Sequence, residues 1–185
     1  MPLDQRILEP SLQSGQRMTI LKAGAVGLLG ALIILAVMIL GIQVTGLAPF
    51  NLSPSAAFLY ALGFSSMPLA LILHFGVGFV GAAMLYLLFG RGINPLNGIG
   101  LALVQWLLLM VVAGPIIGRG FFGFGAPGHA LSAEAPLLLG QTIKYLVLTF
   151  VLHVIYGGLN GTLIARWMGA DGARTGRRRS GPGTR

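Results

Sequence analysis

Two of the chain's three histidines sit inside apolar stretches, and their surroundings match. One stretch runs Leu71-Ile72-Leu73-His74-Phe75-Gly76-Val77-Gly78. The other runs Thr149-Phe150-Val151-Leu152-His153-Val154-Ile155-Tyr156-Gly157. Each histidine is followed by glycine four residues on, and each has a loop proline, Pro49 or Pro127, 25 or 26 residues behind it. Ionisable groups are rare at membrane depth and face a protein interior when they occur. The pair therefore admits three chemistries. The imidazoles can hydrogen-bond between helices and pin their packing. They can act as the two axial ligands of a b-type haem held in a helix bundle. Or they can carry protons or sense pH. A proton relay normally has carboxylates nearby, and all four acids, Asp4, Glu9, Glu134 and Asp171, lie outside the apolar stretches.

Other polar residues fall within apolar stretches as well: Gln43, Thr45, Gln105, Thr149, Asn160 and Thr162. Each is first of all packing glue between helices. Gln105 and Asn160 stand out, because an amide surrounded by hydrocarbon needs a partner. Together with His74 and His153 they could line one polar pocket, walled by Trp106 and Tyr156. Tyr156, three residues after His153, shares its helix face. Outside the apolar stretches, His129 and Glu134 make a poor metal site without a third ligand. The run Gly76-Val77-Gly78-Phe79-Val80-Gly81 fits G-x-G-x-x-G but lacks the strand that a dinucleotide site requires. It reads as a smooth helix face for close packing, as do Gly27 with Gly30 and Gly157 with Gly161. There is no serine–histidine–acid set, no H-E-x-x-H, no carboxylate pair and no P-loop, so an enzyme is not expected.

The composition says what must position these groups. The chain of 185 residues is 55% hydrophobic and only 9% charged, where soluble domains carry about 25%. That excludes a soluble fold and predicts about four membrane crossings of roughly 20 residues each. Cysteine is absent, which excludes disulfides, thiolate metal sites and a cysteine nucleophile. The expected spans are about 21–47, 67–90, 97–118 and 138–168, the second opening with Pro68 in a first turn. Residues 1–20 read as a polar N-terminal tail rather than a cleaved signal peptide. An uncharged loop, 48–66, is expected to hold a short helix from Ser55 to Leu62. Loop 119–137 is rich in phenylalanine and glycine and reads as an interfacial flap, or else as a lid or docking surface. The tail 169–185 is rich in glycine, arginine and serine and reads as disordered.

The net charge is +8, with Arg174, Arg177, Arg178, Arg179 and Arg185 near the C-terminus. With no basic face on a soluble module, nucleic acid is not an expected partner. The arginine run reads as a cytoplasmic anchor, and Arg177, Arg178 and Arg179 also suit anionic lipid headgroups. Placing both ends and the turn at Arg91 on one side gives that side ten of the twelve Lys and Arg residues. Both termini are therefore expected in the cytoplasm, with the protein multi-pass in the inner membrane. His74 lies 17 residues before Arg91 and His153 13 before Arg166. At ~1.5 Å per residue these are about 25 and 20 Å from the cytoplasmic side, in the outer half of the bilayer. The two halves also share one plan: span, loop with proline, span with histidine and a glycine four later. That predicts two parallel helical hairpins related by an axis along the membrane normal.

The runs Leu73-His74-Phe75-Gly76-Val77-Gly78, Gly120-Phe121-Phe122-Gly123-Phe124-Gly125 and Leu152-His153-Val154-Ile155-Tyr156-Gly157-Gly158 resemble a family of small four-span bacterial integral membrane proteins. The resemblance covers about residues 20–168 and implies fold and location but no activity. The expected fold is an all-α transmembrane four-helix bundle. Gly76, Gly78, Gly81, Gly157 and Gly161 are expected to pack helices. The leading functional expectation is a non-catalytic accessory or structural subunit of a larger membrane complex, with lipid and other integral membrane subunits as partners and no cofactor. The alternatives are a b-type haem electron-transfer protein ligated by His74 and His153, and a small-solute or proton carrier.

Overall fold

A computed structural model describes the backbone of residues 4–40, 53–124 and 139–179, and the side chains of 16–40, 53–124 and 142–168. Among the described residues there are helices and turns and no strand. Helix α1 spans Asp4–Ile39, α2 Pro54–Ala61 and α3 Met67–Phe89. Helix α4 spans Pro95–Leu108 and runs on through a π turn, Leu109–Ala113, into a last α turn, Gly114–Ile116. Helix α5 spans Leu139–Arg179.

Among the described residues, four stretches are long and apolar enough to cross a membrane: Gln16–Ile39, Met67–Gly92, Pro95–Ile116 and Thr142–Met168, of 24, 26, 22 and 27 residues. At ~1.5 Å per residue each reaches about 33–40 Å, enough for a hydrocarbon core of ~30 Å. They pack together as a four-helix bundle, the architecture of a multi-pass membrane protein.

The helix starts are written locally. Ser53, Ser66 and Asn94 each accept a hydrogen bond from a first-turn backbone N–H, that of Ala56, Leu69 and Asn97. A proline follows within two residues in each case, at Pro54, Pro68 and Pro95. A side-chain cap meets an orphan donor, and an early proline removes another without loss. The π turn also has a local cause. In a regular α-helix the Pro115 ring would press on the carbonyl of Val111, and a widened turn just before it relieves that clash.

Two close pairings organise the bundle, α1 with α3 and α4 with α5. In each, glycine meets glycine. A Cβ on Gly27 would run into the Gly78 carbonyl, and a Cβ on Gly157 into the Gly98 carbonyl. The same small residue follows one turn later on each first span. A Cβ on Gly78 would lie 2.6 Å from the Ala31 Cβ, and one on Gly157 2.7 Å from the Ala102 Cβ. The halves thus share a packing rule: Gly-x3-Ala on the first span against His-x3-Gly on the second. Two apolar clusters close the ends. Ala23, Ala82, Leu85, Ile93 and Ile164 gather beside the turn at 90–94, and Met110 with Tyr145 near the π turn.

Two boundaries differ from expectation. The tail from 169 was expected to be disordered, yet helical backbone continues to Arg179. A helix already nucleated in the bilayer extends one residue at a time without a new nucleus. Proline, which would end it, first appears at Pro182. The N-terminal tail likewise is helical from Asp4 and continuous with the first span. The short loop helix is found at Pro54–Ala61. The end of the first span after Leu40, and His129 with Glu134, lie outside the described residues.

Candidate functional site

Between α1, α2, α3, α4 and α5 lies a cavity of about 440 Å³, within the ~300–1,000 Å³ of small-molecule sites. Both histidines line it, together with Gln105 and Tyr156. Most of the remaining wall is apolar, including Ile34, Met38, Leu73, Leu108 and Leu152. Four polar residues, the outermost 82 residues apart in sequence, therefore converge on one space. The π turn contributes Leu109, Val112 and Ala113, and α2 contributes Pro54, Ser55 and Phe58.

Each histidine is held by a backbone carbonyl. His74 Nε2 donates to the Ala31 carbonyl across the α1–α3 pairing, at 2.9 Å. His153 Nδ1 donates to the Thr149 carbonyl on its own helix, at 2.7 Å. Tyr156 donates its hydroxyl to the Gly78 carbonyl, at 2.7 Å, and so ties α5 to α3. Thr149 donates to the Tyr145 carbonyl at 2.7 Å and accepts from Trp106 Nε1 at 3.0 Å. No hydrogen bond is found for the Gln105 amide among the described residues. These bonds tie the polar residues into the helix packing and leave part of their hydrogen-bonding capacity unused among the described residues.

The other expected residues stand apart from this wall. Trp106 is one layer behind it, through Thr149, with its ring edge-on to Phe150 at 5.3 Å and tilted on Phe122 at 6.0 Å. Asn160 lies deeper, beside a void of about 10 Å³ bounded also by Gln105, Tyr156 and Gly157. Its Nδ2 donates to the Tyr156 carbonyl at 2.9 Å, while its buried Oδ1 meets no donor among the described residues. Gly78, Gly81, Gly157 and Gly161 are all at close contacts: Gly81 receives the Gln105 side chain, and Gly161 approaches Asn94 and Pro95. Gly76 is the exception, exposed with open space where a Cβ would be. The side chains of Arg177, Arg178 and Arg179 lie outside the described residues.

The start of the Phe/Gly loop folds inward in part. Arg119 is buried with its guanidinium 4.8 Å from the Tyr145 ring centre, and Phe122 packs near Trp106 and Tyr145. Phe121 and Phe124 are exposed. Gly118, Gly120 and Gly123 have positive φ, and Phe122 shares that conformation at φ 53°. This tight curl is what turns Arg119 inward. Arg119 belongs by composition to the outer loop, and its inward direction is set by a backbone curl that composition does not report.

Two wall elements had no expected role. Helix α2 closes one side of the cavity, and only its helical character was signalled, by Ser53-Pro54. The π turn forms another part, and its one signal was Pro115 within a span. Among the described residues no group of three or more metal-ligating side chains occurs. No family model, curated protein or solved structure matches the chain.

Proposed function

We propose that the protein is a non-catalytic multi-pass membrane protein that binds a small, largely apolar molecule in this cavity. One observation carries the proposal: His74, His153, Gln105 and Tyr156, from three different helices, meet on a single apolar space of about 440 Å³. Such a space with a few convergent polar groups is the usual form of a small-molecule site. Both termini are placed in the cytoplasm, on the Lys and Arg bias. On the same bias the two histidines that line the cavity lie in the outer half of the bilayer, at a depth a lipophilic molecule in the membrane reaches.

The test uses full-length protein purified in nanodiscs and a fluorescent naphthalene probe. Wild type should bind the probe above protein-free nanodiscs. Ala113→Phe, which projects a ring from the π turn into the space, should reduce binding at least tenfold. Equal binding by both proteins would sink the proposal.

Haem ligation is a second reading, favoured by one observation. Both rings open on the same cavity, and each is oriented by a carbonyl on one nitrogen, as ligating histidines commonly are. It ranks lower because, among the described residues, the cavity wall includes no Lys or Arg to meet the haem propionates. A reduced-minus-oxidised spectrum of haem-replete protein with no α-band would remove it. An accessory subunit would need smooth glycine faces left free for a partner helix. Gly27, Gly78, Gly98 and Gly157 are now accounted for by pairings within the chain, so no structural observation favours that reading over the cavity.

A further inference from the structure

The hydrogen bonds around the cavity decide what kind of polar group it accepts. A carbonyl oxygen can only accept, so a ring nitrogen bonded to one must carry hydrogen. His74 therefore has its hydrogen on Nε2, facing the Ala31 carbonyl. In the uncharged ring, Nδ1 is then a bare acceptor. His153 has the opposite tautomer, with hydrogen on Nδ1 facing the Thr149 carbonyl and Nε2 as the bare acceptor. The Tyr156 hydroxyl hydrogen is directed at the Gly78 carbonyl, which leaves its oxygen able to accept. The Thr149 hydroxyl hydrogen is directed at the Tyr145 carbonyl. Ser55 and Ser53 share one hydrogen bond of 3.2 Å. Of the lining side chains on α3, α4 and α5, Gln105 keeps donor hydrogens uncommitted among the described residues; on α2, the Ser55 hydroxyl hydrogen is committed when Ser55 is the donor to Ser53 and uncommitted when Ser53 is.

The wall is thus rich in acceptors and poor in donors. A buried acceptor with no donor is destabilising, and a ligand that brings its own acceptor would add to the mismatch. We infer that the ligand is an apolar molecule whose polar end donates hydrogen bonds, an alcohol or a phenol. Its hydroxyl hydrogen goes to a free imidazole nitrogen, Nδ1 of His74 or Nε2 of His153. Its hydroxyl oxygen can accept from the Gln105 amide. An ether of the same skeleton lacks the hydrogen, and it sets oxygen lone pairs against nitrogen lone pairs.

This inference rests on the cavity being a binding site, and the test separates the two. Full-length protein in nanodiscs is dialysed against 2-naphthol and, separately, 2-methoxynaphthalene, and each uptake is referenced to protein-free nanodiscs. The expected result is a preference for the naphthol of about threefold to tenfold, the range of one net hydrogen bond. His74→Phe and His153→Phe, which keep ring volume, should each reduce that preference. Equal uptake of both probes by wild type would overturn the donor inference and leave the binding site standing. Uptake of neither probe above background would overturn both. The wild-type comparison needs no variant, so a substitution that impairs folding does not remove the test.

Discussion

Gly157 and Gly76 are both glycines inside long membrane helices, yet alanine should have opposite effects at the two positions. At Gly157 the new methyl would run into the Gly98 carbonyl and lie 2.7 Å from the Ala102 Cβ. Carbon atoms rest at ~3.5–4.0 Å, so α4 and α5 must part by about 1 Å. The obstacle is backbone on a facing helix, which no rotamer change can clear. Overpacking of this kind costs about 1–3 kcal/mol. Replacing glycine by alanine in a helix returns about 0.5–1 kcal/mol. The net effect at Gly157 is a loss of up to roughly 2.5 kcal/mol, centred on about 1 kcal/mol. At Gly76 a Cβ meets nothing within 4 Å, so only the gain of about 0.5–1 kcal/mol applies. The two variants should therefore differ by about 2 kcal/mol, read by reversible unfolding in mixed micelles with circular dichroism as the signal. Equal stabilities, or a more stable Gly157→Ala protein, would refute the claim that this glycine sets the helix spacing.

Tyr156→Phe removes the bond to Gly78 and should lower stability by about 0.6 kcal/mol, with ~1.7 kcal/mol as an upper bound; a drop above that range in the same unfolding assay would mean the hydroxyl does more than tie α5 to α3. Thr149→Val keeps shape but leaves the Trp106 N–H without its acceptor, so it should destabilise by about 1–3 kcal/mol and shift tryptophan emission, and unchanged emission would contradict the Trp106–Thr149 bond. Asn160→Leu removes an amide whose oxygen is buried without a donor among the described residues, and its effect should stay within about 1 kcal/mol of neutral. A larger loss in thermal unfolding would show that the oxygen has a partner. The absence of cysteine gives a clean background for topology: Gly92→Cys should react with an impermeant maleimide only from the cytoplasmic face and Phe124→Cys only from the opposite face, and the reverse pattern would invert the orientation.

The four spans were legible because hydrocarbon leaves a chain few options. Every backbone polar group must be satisfied within its own segment, so a long apolar run becomes a helix. The start of α3 was equally legible, since Pro68 fits a first turn without losing a bond. The site was legible only in part. His74, His153, Gln105 and Tyr156, grouped by sequence as one candidate pocket, lie on the wall of one cavity. Trp106 and Asn160 belong to the same grouping and yet lie elsewhere, one layer back and one turn deeper. Sequence spacing fixes which face of its own helix a residue takes. It does not fix which neighbour that face meets, because crossing positions are set by pairs of small residues on separate helices. The helical continuation to Arg179 was missed for a related reason, as composition reports no nucleation supplied by the preceding span.

The repeated His-x3-Gly spacing then acquires a geometric meaning. In each half the glycine marks closest approach, at Gly78 against Gly27 and at Gly157 against Gly98. The histidine, one helical turn before it, stands just beyond that crossing, where a ring has room. In the first half the ring reaches across to Ala31, whose Cβ faces Gly78. The second half breaks the pattern. Trp106 lies one turn beyond Ala102, on the helix facing His153, and its indole is bonded to Thr149. His153 bonds back to the Thr149 carbonyl on its own helix. An identical pair of hairpins would give both rings the same tautomer. This departure gives them opposite ones, and so leaves two different acceptors, Nδ1 and Nε2, at one apolar cavity. The repeat builds the bundle, and its one-sided departure at Trp106 and Thr149 makes the cavity wall chemically asymmetric.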